Sequence, residues 1–256
     1  MTRAARAALA ALGLAAIAGG CTEVSTDPAT TVAIGVDSLP STTIVVGDTL
    51  RGVSLVPTPV RVRVFTGAGD TIPGAEVTPV LLDTATRRAI TITPARLVVG
   101  RGTVTGARFL FRSGPVQTAE LRVDVIDSVP RLAVGDTLRD SLFYDAADTT
   151  LRSGEVQLRA TQGSGTAAAG GFRVAIEALR VAPQLDSIAF YGPNGRRVVG
   201  ALTGSDGLAR VRVRAFARAG ASGTDTIVLQ ARLRARGVEV PGSPLRLVLV
   251  ARGVPR

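Results

Sequence analysis

The chain alternates between apolar and polar positions over most of its length. In VRVRVF at 60–65, Val60, Val62 and Val64 fall on one side and Arg61 and Arg63 on the other. LRVDV at 121–125, VQLRA at 156–160, ARVRVRAF at 209–216 and LQARLRAR at 229–236 repeat the pattern. A period of two puts every second side chain on one face of an extended segment, so these read as half-buried antiparallel strands. FRVAIEALRV at 172–181 admits a short helix by spacing. A strand fits better, because Phe172, Val174, Ile176 and Ala178 share one face and Arg173 and Glu177 the other. Between the strands stand GAGD, RSGP, YGPNG, TGSDG and VPGSP, turn clusters in which Gly and Asn supply positive φ and Pro fixes it. The longest Ala-rich piece after the N-terminal segment, GSGTAAAGG at 163–171, is flanked by glycines and reads as a loop. Short strands punctuated in this way predict β-sandwiches or barrels.

Residues 46–50 and 134–138 both read VGDTL. In each copy an aliphatic pair precedes Gly-Asp, and Thr-Leu then resumes an extended segment. The repeat predicts two tandem domains, with Gly47-Asp48 and Gly135-Asp136 forming the same tight turn in each. The spacing to the next alternating strand differs between the copies, so this is a divergent repeat and not a solenoid period. DSVPR at 127–131 marks the boundary, giving domains at 32–127 and 128–256.

These motifs resemble the bacterial immunoglobulin-like domains of invasin- and intimin-type surface proteins and of many lipoproteins. TTIVVGDTL…VRVRVFTGAGDTIPGAEVTPVLLD matches their opening corner, hairpin and strand. ALTGSDGLARVRVRAF at 201–216 matches a later hairpin, and TDTIVLQARL the strand that usually ends such a domain. The likeness covers most of residues 32–252. It implies an all-β fold of two tandem Ig-like antiparallel β-sandwiches and a structural or adhesive role. With no Trp and no Cys pair, the antibody-type hallmarks are missing.

The N-terminus reads MTRAARAALAALGLAAIAGGC. Arg3 and Arg6 form a positive n-region, and residues 7–20 form an apolar region ending in small residues, as a signal peptide requires. The apolar run falls short of the roughly 20 residues a transmembrane helix needs. Ala18-Gly19-Gly20-Cys21 resembles the lipobox of bacterial lipoproteins, with Ala18 where Leu is usual. That resemblance implies a signal peptide at 1–20, lipidation of Cys21, and membrane attachment through two or more acyl chains. Thr22, in place of the Asp that retains many lipoproteins at the inner membrane, points to the outer membrane. Ordinary cleavage after Ala16-Ile17-Ala18 is the alternative and leaves Cys21 a free thiol. Residues 21–31 are polar and Thr-rich and read as a tether.

Composition narrows the chemistry. The 256 residues are 46% hydrophobic but only 4% aromatic, so the core rests on Val, Leu, Ile and Ala. The 29 Gly and 14 Pro fit a chain with many turns. The net charge is +10 and every base is Arg. With no His there is no Ser-His-Asp triad and no ordinary zinc site. With no Lys there is no Walker loop, Ser-Lys dyad or Schiff base. Asp145 and Asp148 in YDAAD are the densest acids; as a pair they leave a carboxylate-dependent hydrolase open as an alternative. Their spacing lacks the calcium-loop pattern. GRGTVTG at 100–106 is one residue off the GxGxxG phosphate loop, sits among strands, and reads as a turn. No cofactor or metal is implied.

The expected function is non-catalytic, that of a lipid-anchored envelope protein with Ig-like structural or interaction domains; the alternative is an adhesin-like protein whose Arg face binds an anionic envelope or host polymer, and the candidate partners are a protein or an anionic polysaccharide. Nucleic acid is not expected, because aromatics do not interleave with the arginines. Arg210, Arg212, Arg214, Arg232, Arg234 and Arg236 are the candidate anion-binding residues. Alternation puts each triplet on the solvent side of its strand. If the two strands lie side by side, six guanidiniums share one surface.

Overall fold

The computed structural model describes residues 31–138, 141–145, 147–148, 150–163 and 165–254. The signal segment, Cys21 and the tether up to residue 30 lie outside the described residues.

The first unit contains β1 (Thr31–Val36), β2 (Thr43–Val45), β3 (Val62–Thr66), β4 (Thr78–Leu81), β5 (Ile90–Ile92), β6 (Val98–Gly100), β7 (Val104–Ser113), β8 (Val116–Gln117) and β9 (Leu121–Ile126). One layer is a sheet in the order β2-β9-β7-β4, with β8 on the end of β7. The antiparallel pairs β1–β3 and β5–β6 form separate two-stranded sheets. A short helix, α1 (Thr84–Ala89), joins β4 to β5; the Asp83 carboxylate caps it by accepting from the Thr86 amide at 2.7 Å. Alternation selects the core. Phe109 and Phe111, two apart on β7, are both buried and meet edge to face at 6.0 Å, packed with Ile44, Leu50, Val60 and Val125.

The second unit contains β10 (Pro130–Leu138), β11 (Ser141–Tyr144), β12 (Glu155–Gln162), β13 (Arg173–Arg180), β14 (Leu185–Tyr191), β15 (Arg197–Val198), β16 (Gly200–Leu202), β17 (Leu208–Ala217), β18 (Thr224–Arg232), β19 (Arg234–Ala235), β20 (Val238–Glu239) and β21 (Leu245–Gly253). One sheet runs β10-β12-β17-β14-β15 and the other β11-β21-β18-β13-β16. With β10, β12, β17 and β14 as strands A, B, E and D, and β13, β18 and β21 as C, F and G, this is the immunoglobulin strand order, ABED against CFG. The core between the sheets is aliphatic, with Leu158, Val211, Val213, Ile227, Leu229 and Leu249 nearly or fully inaccessible.

Two parallel ladders break an otherwise antiparallel pattern. In the first unit Thr43, Ile44 and Val45 of β2 pair with Asp124, Val125 and Ile126 of β9. In the second, Ser141 to Tyr144 of β11 pair with Val250 to Gly253 of β21. Each unit thus ties an early strand to its last.

The repeated VGDTL does not mark one corner twice. Val46 and Gly47 form a turn after β2, with Gly47 at φ +83°. Gly135 lies inside the long edge strand β10, ahead of β11, where the ladder to β12 slips register between Val134 and Leu138. Its φ is not positive. It is small because Gln157 fills the space: a Cβ there would sit 2.6 Å from the Gln157 Cβ. Identical pentapeptides therefore satisfy different demands, a left-handed turn in one place and close strand approach in the other.

Candidate functional site: the arginine strands and the junction

The six candidate arginines divide between two faces. Arg210, Arg212 and Arg214 stand on β17 in one sheet; Arg232 and Arg234 stand on β18 and β19, and Arg236 follows β19, on the side of the opposite sheet. The single six-guanidinium surface does not form, because alternation fixes which face a side chain takes but not which strand lies beside it.

On the second face the charges are matched. Arg232 reaches the Gln230 amide oxygen at 2.8 Å and Glu177 at 3.5 Å. Arg234 pairs with Glu239 at 2.9 Å across the β19–β20 hairpin. Arg236 leaves its sheet altogether. At φ +50° it turns toward the first unit, its amide donating to the Asp48 carboxylate at 2.6 Å and its guanidinium to the carbonyls of Val46 at 2.9 Å and Asp127 at 3.3 Å.

That contact belongs to a built junction. Asp48 is buried and receives two hydrogen bonds from Arg51, Nη2 to Oδ1 at 2.6 Å and Nε to Oδ2 at 3.0 Å, besides the amides of Thr49 and Arg236. From the other side, Arg173 on β13 sends Nε and Nη2 to the Pro40 carbonyl at 3.1 and 2.8 Å; burial pushes its guanidinium below the usual arginine range. The Thr43 hydroxyl donates to the Gly170 carbonyl at 2.8 Å, and the Thr42 and Thr43 amides donate to that of Gly171. Val45 of β2 packs into the hydrophobic cluster of the second unit, joined by Ile126 and Val129. The connector at 127–131 is only partly exposed, with Pro130 buried. The sequence pattern puts Arg173 on the polar face of its strand and Asp48 in a turn but shows the junction role of neither, because bonds to a distant backbone carbonyl or amide leave no spacing to read.

On the first face the register assembles a different cluster. Tyr191 on β14 lies directly opposite Arg212 of β17 and Arg197 of β15. Paired residues of an antiparallel ladder share a face. Arg152 stacks on the Tyr191 ring with its guanidinium carbon 4.4 Å from the centroid. Arg214 places Nη1 3.5 Å from the Tyr191 hydroxyl and its guanidinium carbon 4.6 Å over the Phe216 ring, while its Nε is buried without an acceptor. Arg210 is engaged by Asp206 and by Glu155 at 3.3 Å; Asp206 raises its pKa, and Arg210 in turn lowers that of Asp206. Arg152 and Arg197 were not singled out from the sequence. The signal was the YGPNG turn, which returns Arg197 to pair with Tyr191.

The remaining candidates hold their own loops. Asp145 accepts from the Ala147 amide at 2.9 Å. Asp148 accepts from the Thr150 hydroxyl and amide at 2.6 and 2.8 Å, which, with Arg214 acting in the same direction, holds its carboxyl below the usual range. GRGTVTG runs from the end of β6 through the connection at 101–103 into β7, a turn between strands as expected, and Gly106, at φ +68°, donates its amide to the Asp124 carboxylate at 2.6 Å. Among the described residues, no three Asp, Glu, His or Cys side chains come close enough to hold a metal, and no helix is long and apolar enough to cross a membrane.

No family model matches the chain, and no curated protein matches it. Solved structures similar to it include domains 4–9 of the surface layer protein SbsC (13% identity, 88% of this chain and 32% of that one, TM-score 0.29). The Yersinia pseudotuberculosis adhesin InvE is similar at 14% identity over 84% of this chain and 58% of that one, TM-score 0.33. The D0-D1 domain of intimin is similar at 8% identity over 87% and 98%, TM-score 0.29. The chain spans about a third of the first and little over half of the second. The fold assignment rests on the strand order, not on these scores.

Proposed function

We propose that this chain is a lipid-anchored, non-catalytic protein of the bacterial cell envelope, probed by its partners through two Ig-like sandwiches held in a fixed relation. The observation that carries the fixed relation is the junction. Arg173, Arg236, Asp48 and Thr43 join the two units through side-chain and backbone hydrogen bonds, and Val45 reaches the second core. Interfaces of this kind convert two domains into one spacer and resist the relative motion that is the default for tandem domains. Cys21, directly after a signal-like segment, supplies the anchor, and Thr22 favours the outer membrane.

The anchor is tested by detergent phase separation of the expressed full chain. The native chain partitions into the detergent phase and Cys21→Ser into the aqueous phase. If both partition alike, the lipid-anchored reading is wrong.

A further inference from the structure

We infer that the outer face of the β10-β12-β17-β14-β15 sheet, centred on Tyr191, docks a linear polysaccharide bearing carboxylates; this deepens the interaction role proposed above and rests on it. Four arginines gather about one tyrosine. Arg212 and Arg197 flank it in register, Arg152 covers its ring, and Arg214 lies at its hydroxyl. Among the described residues none of the four is in an ion pair, in contrast to Arg210, Arg232 and Arg234. The nearest acids are committed elsewhere. Glu155, the cross-strand neighbour of Arg212, is held by Arg210 and by the Gln157 amide at 2.9 Å. Asp148, which senses Arg214, is held by Thr150.

Arg212 and Arg197 stand two strands apart with Tyr191 between them, so the two charges share one face without being directly opposed. Their charge, with that of Arg152 and Arg214, is left to solvent or a ligand to offset. The spread of the charges selects a polymer. Neighbouring strands stand about 4.8 Å apart, so the Cα atoms of Arg212 and Arg197 are separated by about 10 Å, and those of Arg212 and Arg214 by about 7 Å along one strand. Rooted on three adjacent strands, the charges suit successive acidic groups along one chain. Arginine forks match carboxylates and phosphates alike in two-point geometry, and a phosphate-bearing vesicle separates the two chemistries. The stacked Arg152 occupies one face of the Tyr191 ring, where a nucleic acid base would otherwise stack.

The test uses the full chain with polygalacturonate as the probe, dextran as the neutral control and phosphatidylglycerol vesicles as the competing surface, across a salt series. Polygalacturonate binding should be present at low salt and weaken as screening grows. Arg197→Gln with Arg212→Gln should lower affinity about tenfold or more. Arg246→Gln with Arg252→Gln, which removes the same charge from the opposite sheet, should change it by less than about twofold. Circular dichroism confirms that both double variants are folded. Equal losses in the two variants would reduce the effect to bulk charge and overturn the assignment. No binding to polygalacturonate at low salt, or binding to vesicles alone, would also overturn it. The anchor of the proposed function stands or falls separately, by the partition of Cys21→Ser.

Discussion

At the scale of single residues, Asp48 ties its own loop to the second unit. Its carboxylate is buried, takes both forks of Arg51 and accepts two backbone amides, one of them from the second unit. Removing one partner of such a buried pair strands the other. Asp48→Ala is expected to lower unfolding free energy by on the order of 3 kcal/mol, because the Arg51 guanidinium loses its counter-charge. Chemical denaturation of the variant measures this; a loss under about 0.5 kcal/mol, the range of an exposed pair, would show the site is solvated instead. Tyr144 is a quieter case. Burial, with Asp225 nearby, raises its pKa, and its hydroxyl donates to the Gly223 carbonyl at 3.1 Å, so the buried phenol is held neutral.

At the scale of elements, much was legible and the limit is specific. Alternation located the cores of β9, β12, β17 and β18 and favoured strand for 172–181, where β13 runs. It failed where a strand's partner mattered. β17 and β18 each read as an arginine-bearing strand, and nothing in either states that they belong to opposite sheets. The helix α1 went unseen because TATRRA is a single capped turn or two, too short to show a 3.6-residue period. The duplicated VGDTL misled because glycine answers two unrelated requirements. This separates experimentally. Asn tolerates left-handed backbone, so Gly47→Asn should cost about 1 kcal/mol or less. Gly135→Asn must force a side chain against Gln157 and should cost about 1–3 kcal/mol. Thermal unfolding of the two variants compares them, and equal costs would mean that both positions share one constraint after all.

At the scale of the whole molecule, the junction decides whether the two sandwiches behave as one body. The connector is partly buried, its Asp127 carbonyl is taken by Arg236, and the Val129 carbonyl accepts from Gly163. Arg173→Ala combined with Arg236→Ala removes side-chain ties from both sides of the junction without touching either core. Small-angle scattering should show one well-defined shape for the native chain and a broadened distribution of dimensions for the double variant, with strand content unchanged by circular dichroism. Identical scattering profiles would assign the rigidity to Val45 and the backbone contacts alone. The candidate binding cluster was half legible at this level. Arg212 and Arg214 stood out in the sequence, while Arg152 and Arg197 join them only through turns that bring distant positions together.

The two parallel ladders bear on how such a chain carries tension. Pulling a sandwich by its two ends draws an early strand one way and the last strand the other. Because β2 runs parallel to β9, and β11 to β21, that pull slides the strands along each other and loads every rung of the ladder together. An antiparallel pair pulled from the same end would part like a zipper, one rung at a time. A protein held to a surface at its start and gripped near its far end would therefore meet drag with the stiffer of the two geometries in both of its sandwiches.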